Sequence, residues 1–278
     1  MSAYLAHFGL KQPPFGITPD TEFAYQSRSY REGMNLLHFA LASGEGFIKV
    51  VGEVGTGKTL LCRSLLNELD ADWQAAYIPY PQMDPRELLL EIADELQVGE
   101  NVLDIVRLVK RINQRLLDLA AVGRKVVLCI DEAQTMPRLT LESLRLLSNL
   151  ETEKRKLLHI VLFGQPELDD MLARHSARQI RQRIAFSYRL QHLDVEEVKQ
   201  YVEQRLATAG HRGEPLFTPR ALRALYHRSG GTPRLINILA NKAMLAAFGE
   251  GRLQVMPRHI EAAARDTEGA RDKPWWVW

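Results

Sequence analysis

One eight-residue stretch constrains the fold of this 278-residue chain more than any other part of its sequence. It reads Gly52-Glu53-Val54-Gly55-Thr56-Gly57-Lys58-Thr59 and lies between a β-prone run (residues 47–51) and a helical pattern (residues 58–69). The spacing G-x-x-x-x-G-K-[ST] is that of a loop whose glycines let backbone N–H groups surround a phosphate. We therefore expect residues 52–59 to bind nucleotide phosphates, with Lys58 facing the β- and γ-phosphates and the Thr59 hydroxyl coordinating Mg²⁺.

A second pattern of this kind follows about 70 residues later. Residues 125–130 form an unbroken apolar run, typical of a strand buried on both faces of a parallel sheet, and two acids come directly after it. The carboxyl ends of parallel strands meet at one edge of a sheet, so this pair is expected beside the phosphate loop. Asp131 would then hold Mg²⁺, and Glu132 would orient and polarise an attacking water. An acidic pair after a strand, taken alone, is more often a solvated strand end.

The order of apolar patterns predicts an α/β core with a parallel sheet, followed by a small all-α lid. Four strand patterns (residues 47–51, 75–79, 125–130 and 159–163) alternate with helical patterns, which favours right-handed crossovers between parallel strands. Beyond residue 193 only helical patterns appear, and the first of them opens with a capping box at Asp194. We expect an N-terminal segment packing on the core (residues 1–45), the core itself (46–193), the helical lid (194–267) and a tail (268–278).

Composition narrows the class of protein. The chain is 46% hydrophobic and 25% charged, with a net charge of +2, which excludes a disordered or disulfide-stapled chain. A net charge this close to zero gives no electrostatic reason to expect that the protein binds nucleic acid. Cys62 and Cys129 lie in apolar runs, as core cysteines of a reducing compartment would. With no apolar run of about 18–20 residues and no signal-peptide pattern at the start, a cytoplasmic protein is expected.

Several further segments carry a resemblance to a known family. They are Tyr4-Leu5, Phe8-Gly9-Leu10, Pro14-Phe15, Pro19-Asp20, Leu147-Ser148-Asn149-Leu150-Glu151-Thr152, Gly164-Gln165-Pro166-Glu167-Leu168 and Ser229-Gly230-Gly231-Thr232-Pro233-Arg234-Leu235-Ile236-Asn237. With the two motifs above, the chain resembles an AAA+ ATPase and, more narrowly, is similar to the ExeA/GspA ATPases of the general secretion pathway. The resemblance implies ATP or ADP with Mg²⁺, ATP hydrolysis, a nucleotide-dependent homo-oligomer, and partners among inner-membrane proteins of pilus or secretion assembly.

The resemblance also implies roles for three residues outside the two motifs. Gln165 follows the fourth strand pattern, where the family places a polar sensor of the γ-phosphate; a plain turn residue before Pro166 is the alternative. Arg234 matches a second sensor, carried by the lid, and a surface arginine is its alternative. Arg183, with Arg181 in reserve, matches an arginine finger that enters a neighbouring subunit. Arg183 belongs to a cluster of five arginines that has two further explanations: a solvated helix face, or a surface that binds DNA or an acidic partner. The cluster consists of Arg174, Arg178, Arg181, Arg183 and Arg189.

Two positions depart from the family pattern, and the last six residues raise the question of membrane contact. Tyr30 stands where a histidine is common, and Tyr80 where an asparagine often contacts the catalytic glutamate. Three of the four tryptophans crowd into residues 273–278, which favours contact with a membrane surface; a docked tail is the alternative. A DNA-transaction ATPase related to transposition helpers, or a nucleotide-bound scaffold with negligible turnover, would share the same core motifs.

Overall fold

The computed structural model describes residues 2–98, 104–147 and 156–272. Within this part of the chain, contacts separate two compact units. The α/β unit comprises residues 30–54 and 58–190, and the helical unit comprises residues 2–29, 55–57 and 191–272.

The α/β unit is built on a five-stranded, fully parallel sheet. Its strands are β1 (Phe47–Val51), β2 (Trp73–Ile78), β3 (Lys125–Ile130), β4 (His159–Gly164) and β5 (Ile184–Arg189). Their order across the sheet is β2-β3-β4-β1-β5, so β1 lies between β4 and β5.

Twelve α-helices lie in the described residues. In chain order they are α1 (Ser2–His7), α2 (Arg28–Ala42), α3 (Lys58–Glu68), α4 (Pro85–Glu95), α5 (Ile105–Ala121), α6 (Arg138–Leu147), α7 (Glu167–Ala173), α8 (Arg178–Arg181), α9 (Val195–Thr208), α10 (Pro219–Ser229), α11 (Pro233–Gly249) and α12 (Pro257–Arg265).

Helices cover both faces of the sheet, because the strands alternate buried side chains between two apolar layers. On β1, Phe47 joins the layer formed with α4, α5, α6 and α7, whereas Ile48 joins the layer formed with α2 and α3. Cys62 on α3 and Cys129 on β3 are free, fully buried thiols in the second layer, as expected for core residues.

The helical unit has its own apolar core, made by α9 to α12 and the start of the chain. Asp194 caps α9: its carboxylate accepts from the N–H groups of Glu196 and Glu197, and the Glu197 side chain accepts from the Asp194 N–H. This reciprocal pair is the capping box that the sequence predicts.

The fold class predicted from the sequence is confirmed, and one of its strands was missed. β5 carries a period-2 pattern in which half-buried Ile184, Phe186 and Tyr188 alternate with exposed Ala185, Ser187 and Arg189. Because β5 is an edge strand, it is less apolar than the inner strands. The arginines before and within β5 make this stretch resemble a charged surface segment in the sequence.

The N-terminal segment, residues 1–45 in the sequence prediction, divides between the two units. Phe8, Phe15 and Phe23 are buried in the core of the helical unit, and the α/β unit begins at Tyr30. This packing could not be predicted from the sequence, because nothing in the local pattern of the proline- and glycine-rich stretch shows which apolar surface the three rings contact.

Arg205 of α9 fixes this segment in the helical unit. Its side chain is only 6% exposed. The guanidinium donates to the carbonyl of Pro14 at 2.7 Å and to that of Gly16 at 3.5 Å. It also stacks over the Phe23 ring, 4.8 Å from its centroid.

Some sequence predictions lie outside the described residues. These are the tryptophan-rich tail (residues 273–278) and most of the stretch from Leu147 to Thr152. Among the described helices, none combines the length and apolar character needed to cross a bilayer.

We expect Arg205→Met to destabilise the helical unit by about 1–3 kcal/mol, because the buried carbonyl of Pro14 loses a charged donor. Chemical denaturation followed by circular dichroism measures the loss. Arg223→Ala, which removes an exposed arginine from α10, is the matched control. Equal unfolding midpoints for the two variants would contradict a stabilising role for Arg205.

Candidate functional site

The carboxyl ends of β1, β3 and β4 bring three predicted segments together. Residues 52–59 follow β1, Asp131 and Glu132 follow β3, and Gln165 follows β4. The pairing is direct at the strand ends, because Val51 is opposite Gly164 and the Gly52 N–H donates to the Gly164 carbonyl at 3.1 Å. The structure therefore places these sequence-predicted residues at one edge of the sheet.

Two glycines give the phosphate loop its path. Gly55 and Gly57 have φ values of +78° and +102°, in the left-handed region that favours glycine. Gly55 also lies in close contact with Arg234 inside the helical unit: an added Cβ would be 2.6 Å from the Arg234 Cβ, and the Gly55 carbonyl accepts from the Arg234 N–H at 3.2 Å. Arg234, the second residue of α11, thus contacts the middle of the loop.

Lys58 begins α3 and is buried under the loop, with 5% of its surface exposed. Its ammonium group donates to the carbonyls of Gly52 at 2.8 Å and Glu53 at 3.0 Å. Burial lowers the pKa of the Lys58 ammonium, while the nearby carboxylates of Glu132 and Asp131 act to raise it. Two carbonyls of the loop therefore hold the Lys58 ammonium group in place in the nucleotide-free structure.

Thr59 and Asp131 form a pair of oxygen ligands. The Thr59 hydroxyl donates to Asp131 Oδ2 at 2.6 Å, and Asp131 Oδ1 accepts from the Glu132 N–H at 2.9 Å. Burial raises the pKa of the Asp131 carboxyl, against the hydrogen bond from Thr59, which lowers it. A hydroxyl and a carboxylate are the hard ligands that Mg²⁺ takes, so this pair fits the expected metal.

Glu132 lies half-buried at the start of a one-turn helix (Ala133–Thr135), with a left-handed backbone at φ 49° and ψ 36°. Its Oε2 accepts from Gln165 Nε2 at 3.0 Å and from Gln134 Nε2 at 2.5 Å. The backbone N–H of Gln165 in turn donates to Gln134 Oε1 at 3.0 Å. Gln165, which the family resemblance marks as a sensor of the γ-phosphate, thus lies beside Glu132.

Gln134 is the member of this site that sequence reasoning missed. The signal available was its position two residues after Glu132, but an amide in a turn is common and gives no sign of its partner. Tyr80, at the position where the family pattern often has an asparagine, is 74% exposed.

Arg183 precedes β5 and is half-buried. It donates from Nη1 to the Arg145 carbonyl of α6 at 3.5 Å. Arg178 and Arg181 are exposed on α8. Arg183 is thus less exposed than Arg178 and Arg181, and it contacts α6.

A partly exposed ion-pair cluster links three elements of the α/β unit. Asp169 on α7 pairs with Lys49 on β1 and, at 2.7 Å, with Arg189 on β5. Lys49 is 15% exposed, and the Asp169 carboxylate is its charge partner. The cluster ties the helix that follows Gln165 to the strand that follows Arg183.

We expect Asp131→Asn to raise the melting temperature of the nucleotide-free protein at neutral pH. A raised pKa means that keeping the carboxyl ionised costs stability, and this cost grows as the pH rises through the folded-state pKa. The gain should therefore shrink in acid, where Asp131 itself becomes neutral. Thermal unfolding across pH measures it, with Asp170→Asn as an exposed control. A variant that melts at a lower temperature than the wild type at neutral pH would contradict a destabilising effect of the Asp131 charge.

Comparison with known proteins agrees with this geometry. Residues 41–172 match the AAA domain family. General secretion pathway protein A of Aeromonas hydrophila is 42% identical over 274 residues, which cover 98% of this chain and 50% of that protein. The chain thus spans about half the length of this curated relative.

Solved structures resemble the chain at low sequence identity. Cdc6p from Pyrobaculum aerophilum has a TM-score of 0.67 at 18% identity and covers 89% of this chain and 70% of its own. The ADPNP–ADP complexes of Aeropyrum pernix ORC2 give 0.65 at 18%, covering 92% and 73%. The Thermotoga maritima RuvB branch migration motor gives 0.58 at 18%, covering 92% and 73%. With the parallel sheet and the loop after β1, these matches show that the protein contains an AAA domain and has the AAA+ P-loop NTPase fold, with a helical C-terminal part.

Proposed function

We propose that this protein is an ATPase of the ExeA/GspA family. In this proposal it couples ATP binding and hydrolysis to the assembly or operation of an MSHA-type (type IV) pilus or a general secretion machine. One observation carries the enzymatic part. A buried lysine, a hydroxyl–carboxylate pair and a second carboxylate meet at the end of a parallel sheet, directly after a glycine-rich loop.

The residues present fit ATP and Mg²⁺. The loop from Gly52 to Thr59 supplies backbone N–H groups, and Lys58 supplies a cation for the β- and γ-phosphates. Thr59 and Asp131 would hold Mg²⁺, which when bound neutralises charge on the phosphate oxygens. The pKa of Lys58 is lowered by burial, so a polyanion in the loop would offset part of its desolvation.

The catalytic roles follow from position. Glu132 acts as the general base that orients water and takes its proton, since it directly follows the metal ligand Asp131 and donates its backbone N–H to that carboxylate. Gln165 contacts Glu132 through its amide and senses the γ-phosphate next to the base. Arg234, in contact with the loop at Gly55, serves as the second sensor and links the helical unit to nucleotide state.

The cellular part of the proposal rests on similarity. A relative named general secretion pathway protein A is 42% identical along nearly the whole chain, and within the family the chain most resembles the MSHA pilus biogenesis protein MshM. We propose a nucleotide-dependent homo-oligomer, partners among inner-membrane pilus or secretion proteins, and a cytoplasmic location peripheral to that membrane. The tail at residues 273–278 would contact the membrane surface.

A DNA-transaction function receives less support. ORC2, Cdc6p and RuvB share the fold at 18% identity, which carries no inference about ligands. The net charge of +2 remains an argument against a nucleic-acid partner.

We expect Glu132→Gln to lower ATP turnover by about 10²–10⁴-fold while leaving ATP bound, because the metal ligand and the loop survive. Lys58→Ala should abolish binding, since the loop loses its buried cation. Phosphate release and binding of a fluorescent ATP analogue measure the two effects, with Glu91→Gln on α4 as an exposed control. Wild-type protein that binds ATP without turnover would favour the scaffold alternative, and turnover in Glu132→Gln equal to wild type would remove the base assignment.

A trans-acting Arg183 makes a sharper prediction. Arginine fingers are worth about 10³–10⁵ in rate, so Arg183→Ala should cripple turnover with ATP affinity kept, and Arg178→Ala should lose less. Mixing Arg183→Ala with Glu132→Gln protein should restore activity, because a site with intact Glu132 then receives an arginine from its neighbour. Arg107→Ala on α5 is the control. Co-assembly without recovered activity would make Arg183 a structural residue.

A further inference from the structure

The turn between α10 and α11 sets the position of Arg234. Gly230 and Gly231 form this turn with φ values of +59° and +75°, in the left-handed region that favours glycine. Helix α11 begins at Pro233, so Arg234 lies on its first turn, where the Arg234 N–H donates to the Gly55 carbonyl at 3.2 Å. A change in the path of the turn would therefore move the arginine that contacts the phosphate loop.

Two segments of the helical unit pack against this turn. At Gly231, an added Cβ would lie 2.0 Å from the Leu193 carbonyl oxygen, and the Leu193 N–H donates to the Gly231 carbonyl at 2.9 Å. At Gly230, an added Cβ would lie 2.3 Å from both Cζ and Nε of Arg271 and 2.5 Å from its Nη2. The guanidinium group of Arg271 thus packs directly on the turn, in the space that a Cβ would take.

Arg271 belongs to the segment that follows α12, residues 266–272, which we call the strap. Near the start of the strap, the Lys242 ammonium group of α11 pairs with the Asp266 carboxylate at 2.8 Å. Near its end, the Arg271 N–H donates to the Arg228 carbonyl at 2.8 Å, and Arg228 Nη1 donates to the Arg271 carbonyl at 2.6 Å. The strap is therefore fixed to α11 at one end and to the last turn of α10 at the other.

The contact between Arg271 and the turn depends on packing. Among the described residues, none forms a hydrogen bond or an ion pair with the Arg271 guanidinium group. Its backbone is held instead, since Arg228 is 11% exposed and also donates from Nε to the Glu261 carboxylate of α12 at 3.1 Å. Ala270 packs against the apolar core of the helical unit. The strap thus holds the Arg271 side chain in place from its backbone.

We propose that Arg271 is a positioning residue for Arg234. The strap holds the Arg271 guanidinium group against Gly230, and this contact keeps the turn in the path that presents Arg234 to the nucleotide. The inference rests on the proposed ATPase function, in which Arg234 senses the γ-phosphate. ATP has a γ-phosphate and ADP has none, so a displaced Arg234 weakens the binding of ATP more than the binding of ADP.

The test measures the affinities of Arg271→Ala for a non-hydrolysable ATP analogue and for ADP by titration calorimetry. We expect the analogue to bind about fivefold more weakly than to wild type and the ADP affinity to change by less than about twofold, as for a residue that acts through another. Arg271→Lys should bind both nucleotides as wild type does, because the lysine Cε and Nζ can occupy the places of Nε and Cζ. Arg220→Ala, which removes an exposed arginine of α10, is the matched control.

A double variant separates positioning from stability. If the strap acts through Arg234, adding Arg271→Ala to Arg234→Ala should cause no further loss of affinity for the analogue. An additive loss would overturn the positioning role, and so would a lower melting temperature of Arg271→Ala with the wild-type ratio of the two affinities. Wild-type protein that binds neither nucleotide would overturn the proposed function, whereas selective loss of the analogue in Arg234→Ala but not in Arg271→Ala would overturn the role of the strap alone.

Discussion

The parallel pairing of β1 with β4, and of β4 with β3, is the constraint on which the site depends. Val51 lies opposite Gly164, and Ile130 lies opposite Leu162, so three strands end at nearly the same level. Each strand then delivers its own chemistry: a loop with a buried cation, a pair of acids, and an amide. Were β1 antiparallel to β4, the loop would emerge at the far edge of the sheet, away from both acids.

Local patterns in the sequence were sufficient to predict the positions of the site residues that come directly after a strand. The loop, Asp131, Glu132 and Gln165 each come after an apolar run, and parallel topology places them without knowledge of side-chain contacts. Gln134 could not be found this way, because its role depends on one rotamer and on the space left by Gly164. The edge strand β5 was missed for a related reason, since its weak apolar alternation reflects its position in the sheet.

Packing of the chain's first residues could not be predicted because it depends on contacts far apart in sequence. Asn237 Nδ2 donates to the Gly16 carbonyl at 2.8 Å, and Asn237 Oδ1 accepts from the Tyr201 hydroxyl at 2.9 Å. Arg205 adds a hydrogen bond to that tyrosine at 3.2 Å. Two segments that carried the family resemblance, around Pro14-Phe15 and at Leu235-Ile236-Asn237, are thereby parts of one hydrogen-bonded network within the helical unit.

The left-handed backbone at Glu132 has a consequence for which side chains this position can hold. Non-glycine residues in this region cost roughly 1–2 kcal/mol, and two local bonds offset part of that cost: the Glu132 N–H to Asp131 and the Thr135 hydroxyl to the Glu132 carbonyl. A β-branched residue such as valine would fit this backbone badly whatever its chemistry, while asparagine, aspartate and glycine would fit it well. The turn therefore restricts the side chains that this position can hold, independently of any chemistry that the side chain performs.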